Sequence, residues 1–411
     1  MAIQHTRFIH CADIHLDSCM ETHLTALQAQ NRRKELLQTF LRMVNYADQH
    51  QVRGILICGD LFDTGQISPS TFSALLHTIQ EHPKLDFLYL PGNHDNLCLP
   101  SLLSDMDCPD NFWLLQTSDT VITPDFMPVS SISMYRESVT SPGTACRTEQ
   151  SSLTAHTVAE KSYGPITITG LTDSISKLPP LSSSQTNIVM LHGQIDSSSF
   201  RRDDTCFHYS LKDLSGRNID YAAAGHIHRY TSGRIDSRGV YCYSGCLEGR
   251  GFDECGEKGF IILDIATDEH NHLSNLDFQF VPFASRYFFD IKVDITDSAS
   301  YPDIEQKVAA ALSGIDSGHL VRLKLGGSIS PELNLHLNWL FQQYSEDFYF
   351  LRIEDHTQPL LHYEDYRYDS SLKGEFIRLV LSDPDLKEDD KEKIILEGLR
   401  ALSGEEILLS Q

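Results

Sequence analysis

Short apolar runs, each ending in Asp, Asn, His or Gly, recur along residues 1 to 265. They are RFIHCA (7–12), GILIC (54–58), FLYL (87–90), ITITG (166–170), NIVML (187–191) and YAAA (221–224). Runs of this length between punctuating residues predict buried strands. Between them, Leu36, Phe40, Met43, Val44 and Ala47 share one helical face, as do Phe72, Leu75, Leu76 and Ile79. Ser68 and Pro69 supply the cap and first-turn pair for the second helix. Strands alternating with helices predict a layered α/β domain over residues 1–280. In such sheets ligands gather beyond the carboxyl ends of the strands, where the polar clusters fall.

Past Pro282 the pattern changes. An extended run (RYFFDIKVDI), a helix (PDIEQKVAAAL), a second extended run (HLVRLKL), a second helix (NLHLNWLFQQY) and a third extended run (FYFLRI) predict a small α+β domain over 283–358. Residues 363–411 read as a helical tail. One helix carries a stripe of Leu372, Phe376, Leu379 and Val380, and another starts at Asp383-Pro384 and carries Ile395, Leu399 and Leu402. These two amphipathic faces suit either packing on their own domain or docking on a partner. The Ser- and Thr-rich stretch from Val129 to Tyr163 is either a surface excursion or a few short edge strands.

The chain of 411 residues has no run approaching the roughly 20 apolar residues that span a bilayer, so no membrane segment is expected. The opening MAIQHTRFIHCADIHL lacks the basic, apolar and small-residue order of a secretory leader. Ten cysteines without a CxxC pair read as reduced thiols, and a cytoplasmic protein is expected. The net charge of −24 is a complication for any nucleic-acid ligand, because such affinity comes largely from neutralising phosphates. Binding would rest on metal, a partner or local basic groups such as Arg32, Arg33 and Lys34, Arg201 and Arg202, Arg229, Arg250 and Lys258. The first of these clusters reads best as a solvated helix face, whereas Arg229 and Arg250 sit beside candidate metal motifs and are placed to meet phosphate.

Five strand ends carry groups that bind hard or borderline cations: Asp13-Ile14-His15, Gly59-Asp60, Gly92-Asn93-His94-Asp95, His192-Gly193 and Gly225-His226-Ile227-His228. Each alone is common in turns. Together, at one edge of one sheet, they predict a mixed nitrogen and oxygen metal site. A carboxylate can bridge two cations, while neutral imidazoles and an Asn carbonyl complete the shells. Two ions about 3.5–4 Å apart sharing a water would suit hydroxide attack on a phosphate ester. With no Cys in the set, Mn²⁺ is the expected ion, with Fe²⁺, Zn²⁺ or Mg²⁺ as alternatives.

The series DxH, GD, GNHD, HG and GHxH resembles the signature of the calcineurin-like metallophosphoesterases. The resemblance implies a layered β-sandwich flanked by helices. It also implies that Asp13, His15, Asp60 and His228 hold one divalent ion and Asp60, Asn93, His192 and His226 the second, with Asp60 bridging. His94 takes the part of a catalytic histidine outside the metal shell, and Asp95 either orients it or ties up loop amides. FIHCADIHLDS, GDLFDTG and the segment from Tyr243 to Gly259 resemble the DNA double-strand-break repair nuclease branch, the SbcD/YhaO-like exonuclease subunits. That branch implies a DNA exonuclease, with endonuclease action as a further option, whose small domain caps the active-site face. Its tail would dock on the coiled-coil base of an SbcC-like or YhaN-like ABC-type ATPase, and a homodimer is implied as well. Where some relatives have a His three residues after the GD aspartate, this chain has Asp63. Two other readings stand beside the nuclease: a phosphodiesterase or phosphatase for small nucleotides, and a scaffold whose main task is holding the ATPase.

Overall fold

A computed structural model describes residues 3–20, 24–63, 67–94, 108–115, 156–196, 206–270, 272–330, 333, 335–360, 366 and 368–402. They fall into two units, Met1–Phe288 and Phe289–Gln411. In the first unit the strands are β1 (Gln4–Cys11), β2 (Gly54–Cys58), β3 (Asp86–Leu90), β4 (Phe112–Leu115), β5 (His156–Val158), β6 (Glu160–Tyr163), β7 (Ile166–Leu171) and β8 (Thr186–His192). They continue with β9 (Gln194–Asp196), β10 (His208–Ser210), β11 (Tyr221–Gly225), β12 (Thr231–Arg234), β13 (Val240–Tyr243), β14 (Gly259–Thr267) and β15 (Leu273–Pro282). Helices α1 (Ala26–Gln49) and α2 (Pro69–Glu81) follow β1 and β2.

Two sheets result, ordered β15-β14-β1-β2-β3-β4-β5 and β12-β13-β11-β8-β7-β6. Strands β1 to β5 are parallel, as are β7, β8, β11 and β13. The sheets pack face to face: Phe8, Leu56, Leu88 and Leu90 meet Ile168, Ile188, Met190 and Tyr221 in one core. On the far side of the first sheet, Leu36, Phe40, Phe72 and Ile79 of the helices cover Ile9, Ile55 and Phe87. Both faces of the central strands are thus covered, so their sequences are apolar without alternation. Each large side chain so buried contributes about 1.5–3 kcal/mol. The chain is a mixed α/β protein with a layered β-sandwich, as the motif series implied.

The predicted helical faces of α1 and α2 are buried, and the Ser68 side chain accepts the Thr71 N–H at the start of α2. One expectation fails. Arg32 does not belong to a solvated face but is fully buried, donating to Glu248 Oε2 at 3.1 Å and to the Gly249 carbonyl at 2.8 Å. Glu248 in turn accepts from the Thr39 hydroxyl at 2.7 Å and from the Ser285 N–H. Arg32→Ala leaves the Glu248 carboxylate buried with less compensation, and a loss of about 3 kcal/mol is expected in chemical unfolding. A loss below ~1 kcal/mol would mean that water replaces the guanidinium at no net penalty.

The second unit contains β16 (Phe288–Asp294), α3 (Tyr301–Leu312), β17 (Leu320–Ile329), α4 (Leu337–Tyr344) and β18 (Phe350–Pro359), with sheet order β16-β17-β18. Val293, Ile304, Val308, Val321, Leu323, Leu340 and Leu351 form its core. Helices α5 (Leu372–Ser382) and α6 (Glu388–Leu402) have a separate core of Ile377, Val380, Ile395 and Leu399. Here the expected stripe is corrected: Leu372 and Leu379 are exposed, and Ile377 lies inward instead. Helix α6 also begins later than expected, at Glu388, because a turn occupies Pro384 to Leu386. Of the Val129 to Tyr163 stretch, residues 156–163 form β5 and β6, and the rest lies outside the described residues. No helix among the described residues is long and apolar enough to cross a membrane.

Candidate metal centre

The loops that leave β1 and β2 stay side by side beyond the sheet. Asp13 N donates to Gly59 O at 3.1 Å, His15 N to Asp60 O at 3.0 Å and Leu16 N to Leu61 O at 2.9 Å. This pairing brings the DxH and GD motifs to one sheet edge through the backbone itself. Asp13, His15 and Asp60 adopt left-handed backbone (φ 51°, 49° and 49°), as does His226 (φ 99°). For non-glycine residues that conformation costs about 1–2 kcal/mol each, and such residues concentrate at functional sites. Gly92 permits the close approach: a Cβ there would lie 2.0 Å from Asp60 Oδ1. At Gly59 (φ 85°) a Cβ would lie 2.0 Å from His192 Nδ1, so both the left-handed turn and the space require glycine.

Two imidazoles are held by one hydrogen-bonded nitrogen while the other points inward, and a third has one nitrogen against a carboxylate. His192 Nδ1 donates to the Cys58 carbonyl at 2.9 Å, His228 Nδ1 to Glu254 Oε1 at 2.6 Å, and His15 Nδ1 lies 3.0 Å from Asp63 Oδ1. The inward nitrogens converge. His15 Nε2 is 3.4 Å from His228 Nε2 and 3.8 Å from Asp60 Oδ2, and His228 Nε2 is 3.8 Å from Asp13 Oδ1. His192 Nε2 is 2.9 Å from Asn93 Oδ1 and 3.4 Å from Asp60 Oδ2. With the Nδ1 of His192 and of His228 committed to its acceptor, the neutral rings present lone pairs to other lone pairs. Only a proton or a cation between them resolves that conflict. The separations are close to those of ligands about 2.0–2.2 Å from a shared ion, so the donor set fits divalent metal.

Electrostatics agree with this fit. Burial raises the Asp60 carboxyl pKa, but the His192 hydrogen bond and the charges of His192 and His15 outweigh it and hold the group well below its ordinary value. Burial lowers His192, and Asp60 more than reverses that, raising it to about 9. His228 is also raised, its burial offset by the Glu254 hydrogen bond and the Asp13 charge. Asp63 sits at about 2, chiefly through its hydrogen bond to His15. The same carboxylates that favour a proton on His192 and His228 would favour a cation there, so metal binding would compete with protonation of these rings.

Asp13, His15, Asp60, Asn93, His192 and His228 thus gather at one point. His226 joins them through its N–H, which donates to both Asp13 oxygens at 3.0 Å, and its ring stands edge to face with His192 at 5.6 Å. His94 lies at the margin, 44% exposed. Its N–H donates to Asp60 Oδ1 at 3.0 Å, its Nδ1 donates to the Asp63 carbonyl at 3.0 Å, and its ring is 5.1 Å from His15. Asp95 lies outside the described residues. Arg229 is exposed. Arg250, expected to meet phosphate, contacts Asp63 and Glu254. Glu254 and Asp63 are the functional groups that sequence reasoning missed. Neither belongs to a spacing pattern, since each acquires its role only by meeting an imidazole from a distant segment.

In comparisons with known proteins, an uncharacterized metallophosphoesterase, YhaO of Bacillus subtilis (strain 168), is 23% identical over 376 residues, covering 85% of this chain and 82% of that protein. The calcineurin-like phosphoesterase family profile matches residues 6–230, more than half of the chain. With that match spanning β1 through His228, the protein belongs to the calcineurin-like phosphoesterases, metal-dependent hydrolases of phosphate esters.

Proposed function

We propose that this protein is a DNA phosphodiesterase of the double-strand-break repair branch, acting as an exonuclease with two Mn²⁺ ions and working with an ABC-type ATPase. The observation that carries the reading is the convergence of Asp13, His15, Asp60, Asn93, His192 and His228, with Asp60 Oδ2 3.8 Å from His15 Nε2 and 3.4 Å from His192 Nε2 and with His94 beside them. Asp13, His15, Asp60 and His228 would hold one ion, and Asp60, Asn93, His192 and His226 the other. Bound there, divalent ions supply Lewis acidity toward a phosphoryl centre and a means of ionising water near neutral pH. Asp60 and Asp13 hold the negative charge of the pocket, and the tethered imidazoles keep their inward nitrogens aimed without rotating. His94 Nδ1–H makes a hydrogen bond to the Asp63 carbonyl, so that in the doubly protonated ring Nε2–H is the proton available to a departing sugar oxygen, leaving the neutral Nδ1–H imidazole.

The resemblance to YhaO supports an architecture larger than a minimal phosphoesterase. It covers 85% of the chain, more than the first 288 residues can account for, so it extends into the second unit. The net charge of −24 favours a second reading, hydrolysis of small nucleotides, because an acidic surface repels a polyanion. Metal-free protein reconstituted with Mn²⁺ and assayed on end-labelled linear DNA, a bis-aryl phosphate and a nucleoside monophosphate separates the two. Cleavage of DNA and the diester with little release of phosphate from the monoester is expected. Turnover of the monophosphate alone would replace the nuclease reading with the small-nucleotide one.

A further inference from the structure

Arg250 is more deeply engaged than a substrate-contacting arginine at a site mouth would be. Its Nη1 donates to Asp63 Oδ1 at 3.0 Å, and its Nε and Nη2 donate to Glu254 Oε1 at 3.2 and 2.9 Å. Its backbone N–H donates to Glu254 Oε2 at 2.7 Å, and Nη2 stands 3.3 Å from His228 Nδ1. All three guanidinium nitrogens therefore face carboxylates, and those two carboxylates are the ones that lie 3.0 Å from His15 Nδ1 and 2.6 Å from His228 Nδ1. The two acids come from different places in the chain, Asp63 after β2 and Glu254 after β13. Without a cation between them they would repel each other as well as Asp13 and Asp60.

We propose that Arg250 is a positioning residue that ties the orienting carboxylates of His15 and His228 into one unit, so that both imidazoles of the first ion site are aimed together. It neither contacts substrate nor ligates metal. This inference rests on the metal-centre reading above. The planar fork of arginine suits the task because it reaches two carboxylates at once, which a single ammonium cannot do. Loss of an outer partner of a metal-binding histidine typically weakens metal binding by roughly 10–100-fold. Here one side chain serves two such histidines.

The test is calorimetric titration of Mn²⁺ into the metal-free full chain, with KM for a bis-aryl phosphate measured separately at saturating Mn²⁺. Arg250→Ala is expected to weaken the first Mn²⁺ by roughly 10–100-fold and to leave KM within about twofold, while Arg250→Lys recovers only part of the affinity. Wild-type Mn²⁺ affinity in Arg250→Ala, together with a raised KM, would overturn the inference and make Arg250 a phosphate contact. If the alanine variant does not fold, Glu254→Gln decides. It keeps the shape of the side chain but removes the charge that joins Arg250 to His228, and a Mn²⁺ affinity at least roughly tenfold weaker is expected, whereas an unchanged affinity counts against the proposal. Failure of the wild-type chain itself to bind Mn²⁺ is a different outcome: it removes the metal-centre reading and the inference with it.

Discussion

His94→Ala is expected to slow hydrolysis of DNA by roughly 10²–10⁴-fold while leaving Mn²⁺ affinity within about twofold of wild type. The reason is geometric. The His94 ring stands at the exposed margin with Nδ1 committed to the Asp63 carbonyl, and its link to Asp60 runs through the backbone N–H, which alanine retains. The lost function is the imidazole proton that meets a departing sugar oxygen, a poor leaving group that needs protonation as the bond breaks. A nitrophenolate leaves without such help. The same variant should therefore lose less than about tenfold on a bis-nitrophenyl phosphate, since Brønsted behaviour ties the benefit of an acid to the basicity of the group it protonates. Measuring kcat on both substrates under saturating Mn²⁺ separates proton delivery from a structural role. Equal losses on the two substrates would show that His94 only shapes the site.

A second large effect is expected on acid stability, and it originates away from the converging ligands. His10 is fully buried in β1, with Nδ1 accepting from the Tyr221 hydroxyl at 2.9 Å and Nε2 donating to the Ala224 carbonyl at 3.2 Å. Both nitrogens are committed in the neutral ring. Burial pushes its pKa down from 6.5 to about 3, only slightly countered by the Ala224 bond. Between those values the unfolded chain binds a proton that the folded chain excludes, so stability falls as pH falls from about 6.5 toward 3. The full window is worth on the order of 5 kcal/mol, at about 1.4 kcal/mol per pH unit. Urea unfolding of the first unit in chelator, compared with His10→Gln, isolates this group. Glutamine keeps a neutral donor and acceptor but cannot take the proton. Its stability should decline less steeply over that range, and parallel slopes for the two proteins would remove His10 from the account.

Strand ends and helical faces were readable because they follow from local spacing. The runs at 54–58, 166–170 and 187–191 are strands almost to the residue, since each is buried on both faces and so carries few charged positions. The five polar clusters, expected at one edge of one sheet, come instead from two: three follow β1, β2 and β3 and two follow β8 and β11, because the two packed sheets each contribute the ends of their parallel strands. Legibility stops where a role depends on a partner distant in sequence. Glu254 reads as one acid in a glycine-rich loop until His228 meets it, and Arg32 reads as part of a surface RRK run until Glu248 lies opposite. The stripe in α5 was misplaced for a related reason. Leu372, Phe376, Leu379 and Val380 fit a helical face, but the partner helix covers the neighbouring direction, through Ile377 and Val380. Periodicity shows that a helix has an apolar side and leaves the neighbour to choose which part of it is covered.

The paired loops after β1 and β2 carry one last consequence. Because main-chain bonds rather than rotamers set the spacing of Asp13 and Asp60, the cradle is assembled when the chain folds and owes little to its cargo. Loading should then resemble docking into a rigid mould, with ions exchanging readily and the occupant in a cell reflecting the local supply of each metal as much as any preference of the protein.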